Sequence, residues 1–232
     1  MNPPPAPLPV VAVPGLGLSR AAPRYTLDRL PTLGTAVVEL PGFGQPAGCA
    51  TPLAVGDLAD LLLARLTRLG LDRAVLFGHS ASCQLVAQAA AQAPQRVAAL
   101  VLVGPTTDPR AGGWAGLTGR WLRTAVWERP WQVPQLVRDY HHTGFATIAR
   151  AMDDARRHRI DQALAAVACP VLLLRGRHDR IAPSDWLSAL AAVAPHARAE
   201  TLPAGAHMVP LTHPAAVAAR IRAFVVVPPA FA

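Results

Sequence analysis

The stretch Ala74-Val75-Leu76-Phe77-Gly78-His79-Ser80-Ala81-Ser82 limits what this chain can fold into more than any other. Ala74 to Phe77 is a short unbroken apolar run, the pattern of a strand buried on both faces. The residues from Cys83 to Ala91 favour helix. A serine caught between a buried strand and a helix sits on a tight turn. The turn strains its backbone and presents its hydroxyl at the carboxyl edge of the sheet. The start of the helix lies beneath it, with unpaired N–H groups that can hold a developing negative charge. Gly78 and Ser82 occupy the two positions where strand and helix nearly touch, so both must be small. Ser82 stands where a Gly-x-Ser-x-Gly turn has its second glycine, and its extra Cβ and hydroxyl imply slightly looser packing. Five residues alone are equally an ordinary strand–helix turn with a surface serine, so partners must be found elsewhere in the chain.

The rest of the chain supplies a frame for that turn. Val10 to Val13, Ala36 to Leu40, Val97 to Val103 and Pro170 to Arg175 are further apolar runs, and Ala197 to Leu202 suits an edge strand. Helical segments are expected at Tyr25 to Leu30, from Thr51 or Pro52 to Leu69 with Gly70 as its stop, from Ser80 to near Pro94, from Pro183 to about Val193, and from His213 or Pro214 to about Val226. Strands that are continuously apolar and alternate with helices indicate an α/β fold: a mostly parallel sheet of about six strands, covered on both faces. The alternation breaks between Asp108 and Val167, which hold helical stretches and four of the five tryptophans. The expected organisation is a Pro-rich tail over 1–9, a core over 10–109 and 168–227, a helical cap over 110–167, and a short tail over 228–232.

Composition narrows the function. The 232 residues suit one large domain, and 52% hydrophobic content is ample for its core. No apolar run approaches the length of a membrane span, and the N-terminus lacks the basic and apolar regions of a signal peptide. The net charge of +8 raises the question of nucleic acid. All 22 basic residues are arginine, no more than two are adjacent, and no aromatic-interleaved basic stripe occurs, which indicates a solvated surface instead. Cys49, Cys83 and Cys169 have no metal-ligand spacing and suit free thiols in a reducing cytoplasm. Neither a metal nor an organic cofactor is expected, and no membrane or nucleic-acid partner. Nothing separates a monomer from a homodimer.

Three residues complete the chemistry. Ser80, Asp179 and His207 each follow a different strand, on the edge where open parallel sheets gather functional loops. A serine hydroxyl is a weak nucleophile until an imidazole takes its proton. The imidazole needs a carboxylate to fix its tautomer and support its charge. A tetrahedral oxyanion needs preplaced N–H donors, for which the backbone groups of Leu16 and Ala81 are candidates. Asp108, after the fourth strand, rivals Asp179 as the acid. Gly15, His79, Trp114, Trp121, Trp127, Trp131 and Met208 are candidates for the substrate pocket, although packing between cap helices would account for most of the tryptophan area.

The order Ser, Asp, His and the surrounding motifs resemble the α/β-hydrolase-fold serine hydrolases, including the esterases and meta-cleavage-product hydrolases. The pieces are Pro14-Gly15-Leu16-Gly17, Leu40-Pro41-Gly42-Phe43-Gly44, Gly78-His79-Ser80-Ala81-Ser82, Gly176-Arg177-His178-Asp179-Arg180-Ile181-Ala182-Pro183, and Gly205-Ala206-His207 followed by His213-Pro214. The chain departs from the family in carrying Pro14 where histidine is usual and Glu39-Leu40 for the common Asp-Leu. It also begins at the family's third strand, so the leading hairpin is expected to be absent and the Pro-rich start to cover the exposed edge. The resemblance implies hydrolysis of a small or medium apolar ester, thioester or related acyl compound through an acyl-enzyme. A carbon–carbon hydrolase or perhydrolase on the same triad is the alternative within enzymes. A catalytically silent binding or scaffold protein is the alternative outside them.

Overall fold

The computed structural model of the protein describes residues 8–226. In chain order its elements are strand β1 (Val10–Val13), helix α1 (Ala21–Leu27), strand β2 (Thr35–Val37), the two-residue strands β3 (Leu40–Pro41) and β4 (Gly44–Gln45), helix α2 (Val55–Arg68), strand β5 (Ala74–His79), helix α3 (Ser82–Gln92) and strand β6 (Val97–Val103). Four helices follow with no strand between them: α4 (Trp114–Ala125), α5 (Val133–Thr143), α6 (Phe145–Ala155) and α7 (Ile160–Ala165). The chain then forms β7 (Val171–Gly176), α8 (Ser184–Val193), β8 (Ala197–Leu202), the short α9 (Val209–Thr212) and α10 (Pro214–Val226).

The main sheet has six strands in the order β2-β1-β5-β6-β7-β8, and every neighbouring pair is parallel. Side chains alternate across it, so each strand feeds two cores. Val11, Val13, Leu76, Leu102 and Leu173 pack beneath α2, α3 and α8. Val10, Ala12, Phe77, Val101 and Leu174 pack on the other face with Val217, Ile221 and Phe224 of α10. From β1 the chain moves outward to β2, then returns to β5 on the other side of β1 and continues away. The switch point therefore lies between β1 and β5, and the crevice beyond their carboxyl ends is where an open α/β sheet binds ligands. Both the Gly15–Leu18 loop and Ser80 emerge there.

Local structure differs from the sequence reading in a few places. Ala36 to Leu40 is not one strand. The ladder ends where the Val38 N–H reaches Ala12 O, and Glu39 then turns aside to accept from the Arg20 backbone N–H (2.8 Å) and Nε (3.0 Å). Gly42 and Gly44, with φ of 81° and 94°, carry the turn that follows. The first helix spans Ala21–Leu27 instead of Tyr25 to Leu30, and the second begins at Val55 because Ala54 is still extended. Gly70, with φ of 69°, stops α2 as expected. The helix α9 has too few residues to show a period in sequence.

The exposed edge β8 carries charge. Glu200 pairs with Arg198 at 3.3 Å and with Arg220 at 2.8 Å, which discourages strand addition by another chain. Residues 1–7 of the Pro-rich start, expected to cover the other edge of the sheet, lie outside the described residues, as do residues 227–232. Pro9 already belongs to the ladder, since its carbonyl accepts from the Val75 N–H at 2.9 Å.

Candidate active site

The turn after β5 is built as its residues dictate. Ser80 has φ of 58° and is the one non-glycine residue with positive φ among the described residues. Its N–H bonds to Val103 O at 2.9 Å, which locks the strained residue onto β6. A Cβ on Gly78 would lie 2.8 Å from Cys83 Cα and 2.8 Å from Val86 Cγ2, so strand and helix do touch there. The expectation of looser packing around Ser82 does not hold. Ser82 is fully buried, and its hydroxyl accepts from the His79 N–H at 2.8 Å while lying 2.9 Å from Val13 O and from His79 O. The hydroxyl fills the space with hydrogen bonds and ties β1 to the turn.

Asp179 follows β7 and is fully buried. Its Oδ1 accepts from the N–H groups of Ile181 and Ala182, both at 2.9 Å. Buried Arg175 shapes the same loop, donating to Ala182 O at 2.7 Å and to Asp179 O. His207 follows β8 on a turn whose Gly205 has φ of 86°. The two loops are pressed together at Gly176, where a Cβ would meet Ala206 O at 2.2 Å. His207 Nδ1 lies 2.9 Å from Asp179 Oδ2, and His207 Nε2 lies 2.8 Å from Ser80 Oγ. The three residues thus form one hydrogen-bonded chain from carboxylate to imidazole to hydroxyl.

Electrostatics favour charge on both members of the buried pair. Burial opposes ionisation of His207, but the Asp179 carboxylate, its hydrogen bond and the Glu128 carboxylate outweigh it and hold the imidazole above its usual pKa. Burial likewise opposes the Asp179 charge, and His207, the Ala182 N–H and Arg175 overcome it, leaving the carboxyl below its usual range. The rival acid points elsewhere. Asp108 is buried, and its oxygens are held at 2.7–3.1 Å by Arg110 and Arg120.

The loop after β1 lies beside the turn because Val13 pairs with Gly78. It is held by bonds from Gly17 N to Gly42 O (2.8 Å) and from Leu18 N to Gly15 O (2.9 Å). Among the described residues, no hydrogen-bond acceptor is found for the N–H of Leu16 or of Ala81. The helical segment over 110–167 grips this loop through α5. Asp139 accepts from the Ser19 N–H at 3.0 Å, Thr143 Oγ1 donates to Gly17 O at 3.1 Å, and the Tyr140 ring rests where a Gly17 Cβ would be.

Of the pocket candidates, Gly15, His79 and Met208 come together. With Pro210 and Leu211 they line a cavity offering about 10 Å³, too little for an acyl chain. His79 is buried, its pKa is pushed down to about 3 chiefly by that burial, and its Nε2 lies 3.0 Å from His207 O. It braces the His207 loop. The four tryptophans between 110 and 167 are not packed into the core. Each is 49–55% exposed. Trp127 stacks on His178 at 4.0 Å, Trp114 lies under Arg156, and Trp131 leans on Tyr25.

Two residues escaped the sequence reading. Gly104 follows β6 with φ of 60°, and a Cβ there would come within 2.9 Å of the His207 ring and 3.1 Å of Asp179 Oδ2. A glycine directly after a buried strand was the available signal. Glu128, between α4 and α5, accepts from the His207 N–H at 2.7 Å and the Met208 N–H at 2.8 Å, and nothing in its local sequence marks it.

Among the described residues, no group of three or more His, Cys, Asp or Glu is placed to hold a metal ion, and no helix is long and apolar enough to cross a membrane.

Comparison with known proteins agrees with this fold. The profile described as "Alpha/beta hydrolase family" matches residues 10–220. The pimeloyl-(acyl-carrier protein) methyl ester esterase of Xanthomonas campestris pv. campestris is 29% identical, over 90% of this chain and 87% of its own. A putative carbamate hydrolase, RutD, of Klebsiella pneumoniae is 26% identical over 72% of this chain and 71% of its own. Among solved structures, a hydrolase from Oleispira antarctica superposes with a TM-score of 0.78 at 16% identity, covering 94% of this chain and 91% of that one.

Proposed function

The chain belongs to the alpha/beta hydrolase family, and from that premise we propose that it is a serine hydrolase of small to medium apolar esters or related acyl compounds, with Ser80 as nucleophile, His207 as general base and Asp179 as its orienting acid. The observation that carries this reading is the unbroken chain Asp179 Oδ2–His207 Nδ1 (2.9 Å) and His207 Nε2–Ser80 Oγ (2.8 Å), assembled from three separate loops. A binding module or scaffold has no need of that arrangement.

In this mechanism neutral His207 takes the Ser80 proton as Oγ attacks the acyl carbon, and Asp179 supports the imidazolium that results. The tetrahedral oxygen is received by the Leu16 and Ala81 N–H groups, one from the loop after β1 and one from the start of α3. His207 then gives its proton to the leaving group. Water, deprotonated in turn by His207, releases the acid and restores Ser80. Arg110 and Arg120 already neutralise Asp108, so it takes no part. The helical segment over 110–167 acts as a cap, since Asp139 and Thr143 hold the loop after β1, Thr124 the Asp179 loop and Glu128 the His207 loop. An ester substrate is supported by relatives named for methyl ester and carbamate hydrolysis.

The direct test is steady-state hydrolysis of p-nitrophenyl esters from acetyl to decanoyl, with Ser80→Ala as control. The reading expects turnover that vanishes in the control to within the uncatalysed rate. Equal turnover with and without Ser80 would overturn it.

A further inference from the structure

Asp179 sets the far side of the His207 ring, but the peptide that carries the ring has its own supports. It lies outside every sheet ladder, two residues after the left-handed Gly205. Its carbonyl is met by His79 Nε2 at 3.0 Å. Burial keeps His79 neutral, and the Nε2–H tautomer donates this bond. Its N–H is met by Glu128 from the cap. Glu128 Oε1 accepts from two consecutive N–H groups, His207 at 2.7 Å and Met208 at 2.8 Å, and Oε2 accepts from Gln132 Nε2 at 3.1 Å. Charge-assisted bonds of this length are the stronger kind, and two successive N–H groups aimed at one oxygen make an anion nest.

The surroundings show why this carboxylate is distinctive. Glu128 is the sole acid between Asp108 and Asp139 in a segment that carries Arg110, Arg120, Arg123, Arg129 and Arg138. Its carboxylate turns inward to the His207 loop instead of pairing with Arg129 next to it. The same end of α4 also holds the acid loop, because Thr124 Oγ1 accepts from the Arg180 N–H at 3.0 Å.

We propose that Glu128 is a positioning residue for His207: it fixes the peptide from which the imidazole projects, so that seating of the α4–α5 turn and assembly of the Ser80–His207–Asp179 chain are a single event. The proposal rests on the reading of His207 as general base. Releasing Glu128 frees the His207 N–H and lets the ring drift from Ser80 Oγ, and a misplacement of about 1 Å costs about 100-fold in rate. Its negative charge has a second consequence. Among the described residues, the charged and titratable groups around the ring and Glu128 are Asp179 with Arg175 behind it on the loop after β7, His79 at the end of β5, Glu128 itself, Arg129 beside it, and His213 after α9. Of these, Asp179 and Glu128 favour the protonated imidazole.

The test is the pH profile of p-nitrophenyl butyrate hydrolysis by the full-length wild type, Glu128→Gln and Glu128→Ala. Glutamine retains an acceptor oxygen but no charge. It should keep plateau kcat within about threefold while moving the acid limb of kcat/KM to lower pH. Alanine should lower plateau kcat about 10- to 100-fold with KM nearly unchanged, and the Gln variant should restore most of that loss. If the Ala variant does not fold by circular dichroism, the limb of the Gln variant decides alone. Wild-type plateau kcat in the Ala variant, or an unmoved acid limb in the Gln variant, would overturn the proposal. Fluorophosphonate labelling of the wild type separates the two levels. A labelled Ser80 with unmoved variants removes only the role of Glu128, whereas an unlabelled wild type removes the serine mechanism and this proposal together.

Discussion

Replacing Asp179 by asparagine changes one atom, and the structure dictates which way the new amide must face. Asp179 Oδ1 serves the N–H groups of Ile181 and Ala182, while Oδ2 serves His207 Nδ1. An asparagine has one oxygen for these two tasks. If the oxygen faces His207, the amide NH₂ confronts two buried backbone donors. Leaving those unpaired costs about 1–3 kcal/mol each. If the oxygen keeps the loop, the NH₂ faces His207 Nδ1 and that nitrogen must become an acceptor. Two lost bonds against none, at the cost only of a change of His207 tautomer, make the second arrangement the stable one. Its proton then sits on Nε2, aimed at Ser80 Oγ, and the ring cannot act as base. Turnover should fall by about four orders of magnitude, the scale of a wrong-tautomer triad. At about 1.36 kcal/mol per decade this is roughly 5.4 kcal/mol of transition-state stabilisation. Asp108→Asn should instead leave kcat within about tenfold and lower stability, because it weakens the hold of Arg110 and Arg120 on a buried group. The assay is kcat on p-nitrophenyl butyrate at the pH plateau, with thermal melting of each variant. A larger loss of kcat in Asp108→Asn than in Asp179→Asn would refute the argument and transfer the acid role.

Three further outcomes follow from the same geometry. Because His207 is held above its ordinary pKa and only its neutral form accepts the Ser80 proton, kcat/KM should fall toward acid pH with a midpoint above the usual histidine value of about 6.5; a midpoint below that value contradicts the charge balance around the ring. Gly78→Ala sets a Cβ against the backbone of Cys83, which cannot move aside as a side chain can, so it should destabilise by about 1–3 kcal/mol or more in a urea titration, and an unchanged midpoint would count against the packing described. Single Trp→Ala changes at 114, 121, 127 and 131 test whether the cap lines the acyl path: at least one should lower kcat/KM for long esters more than for acetyl esters, and equal effects on both would make all four packing or surface residues.

The parts of the fold that were readable in sequence are those fixed by local pattern. Unbroken apolar runs such as Val97 to Val103 announce strands covered on both faces, and the edge strand Ala197–Leu202 falls where its weak alternation put it. The Ser80 turn was readable because a strained serine between strand and helix needs a small Gly78. What escaped depends on contacts across the chain. Glu39 leaves the ladder because Arg20, nineteen residues away, captures it. Glu128 meets its partners 79 and 80 residues on, and in sequence it looks like one charge on a solvated surface. Gly104 makes room for a pair formed by residues it never neighbours in sequence. Asp108 and Asp179 were rivals because both follow strands, and contacts across the chain distinguish them: Asp179 meets His207 Nδ1 at 2.9 Å, while Arg110 and Arg120 hold Asp108. Four tryptophans close together in sequence read mostly as packing between helices, yet helix faces are set by contacts across the chain, and these rings lie half-exposed.

The proposed mechanism requires Ser80 to be an activated nucleophile. A fluorophosphonate probe forms a covalent bond only with a serine whose proton a neighbouring base removes. Labelling the folded protein and mapping the modified peptide measures this directly. Stoichiometric modification of Ser80 is expected, abolished in Ser80→Ala and strongly slowed in His207→Ala. Absence of label, or label on any other residue with Ser80 untouched, would contradict it.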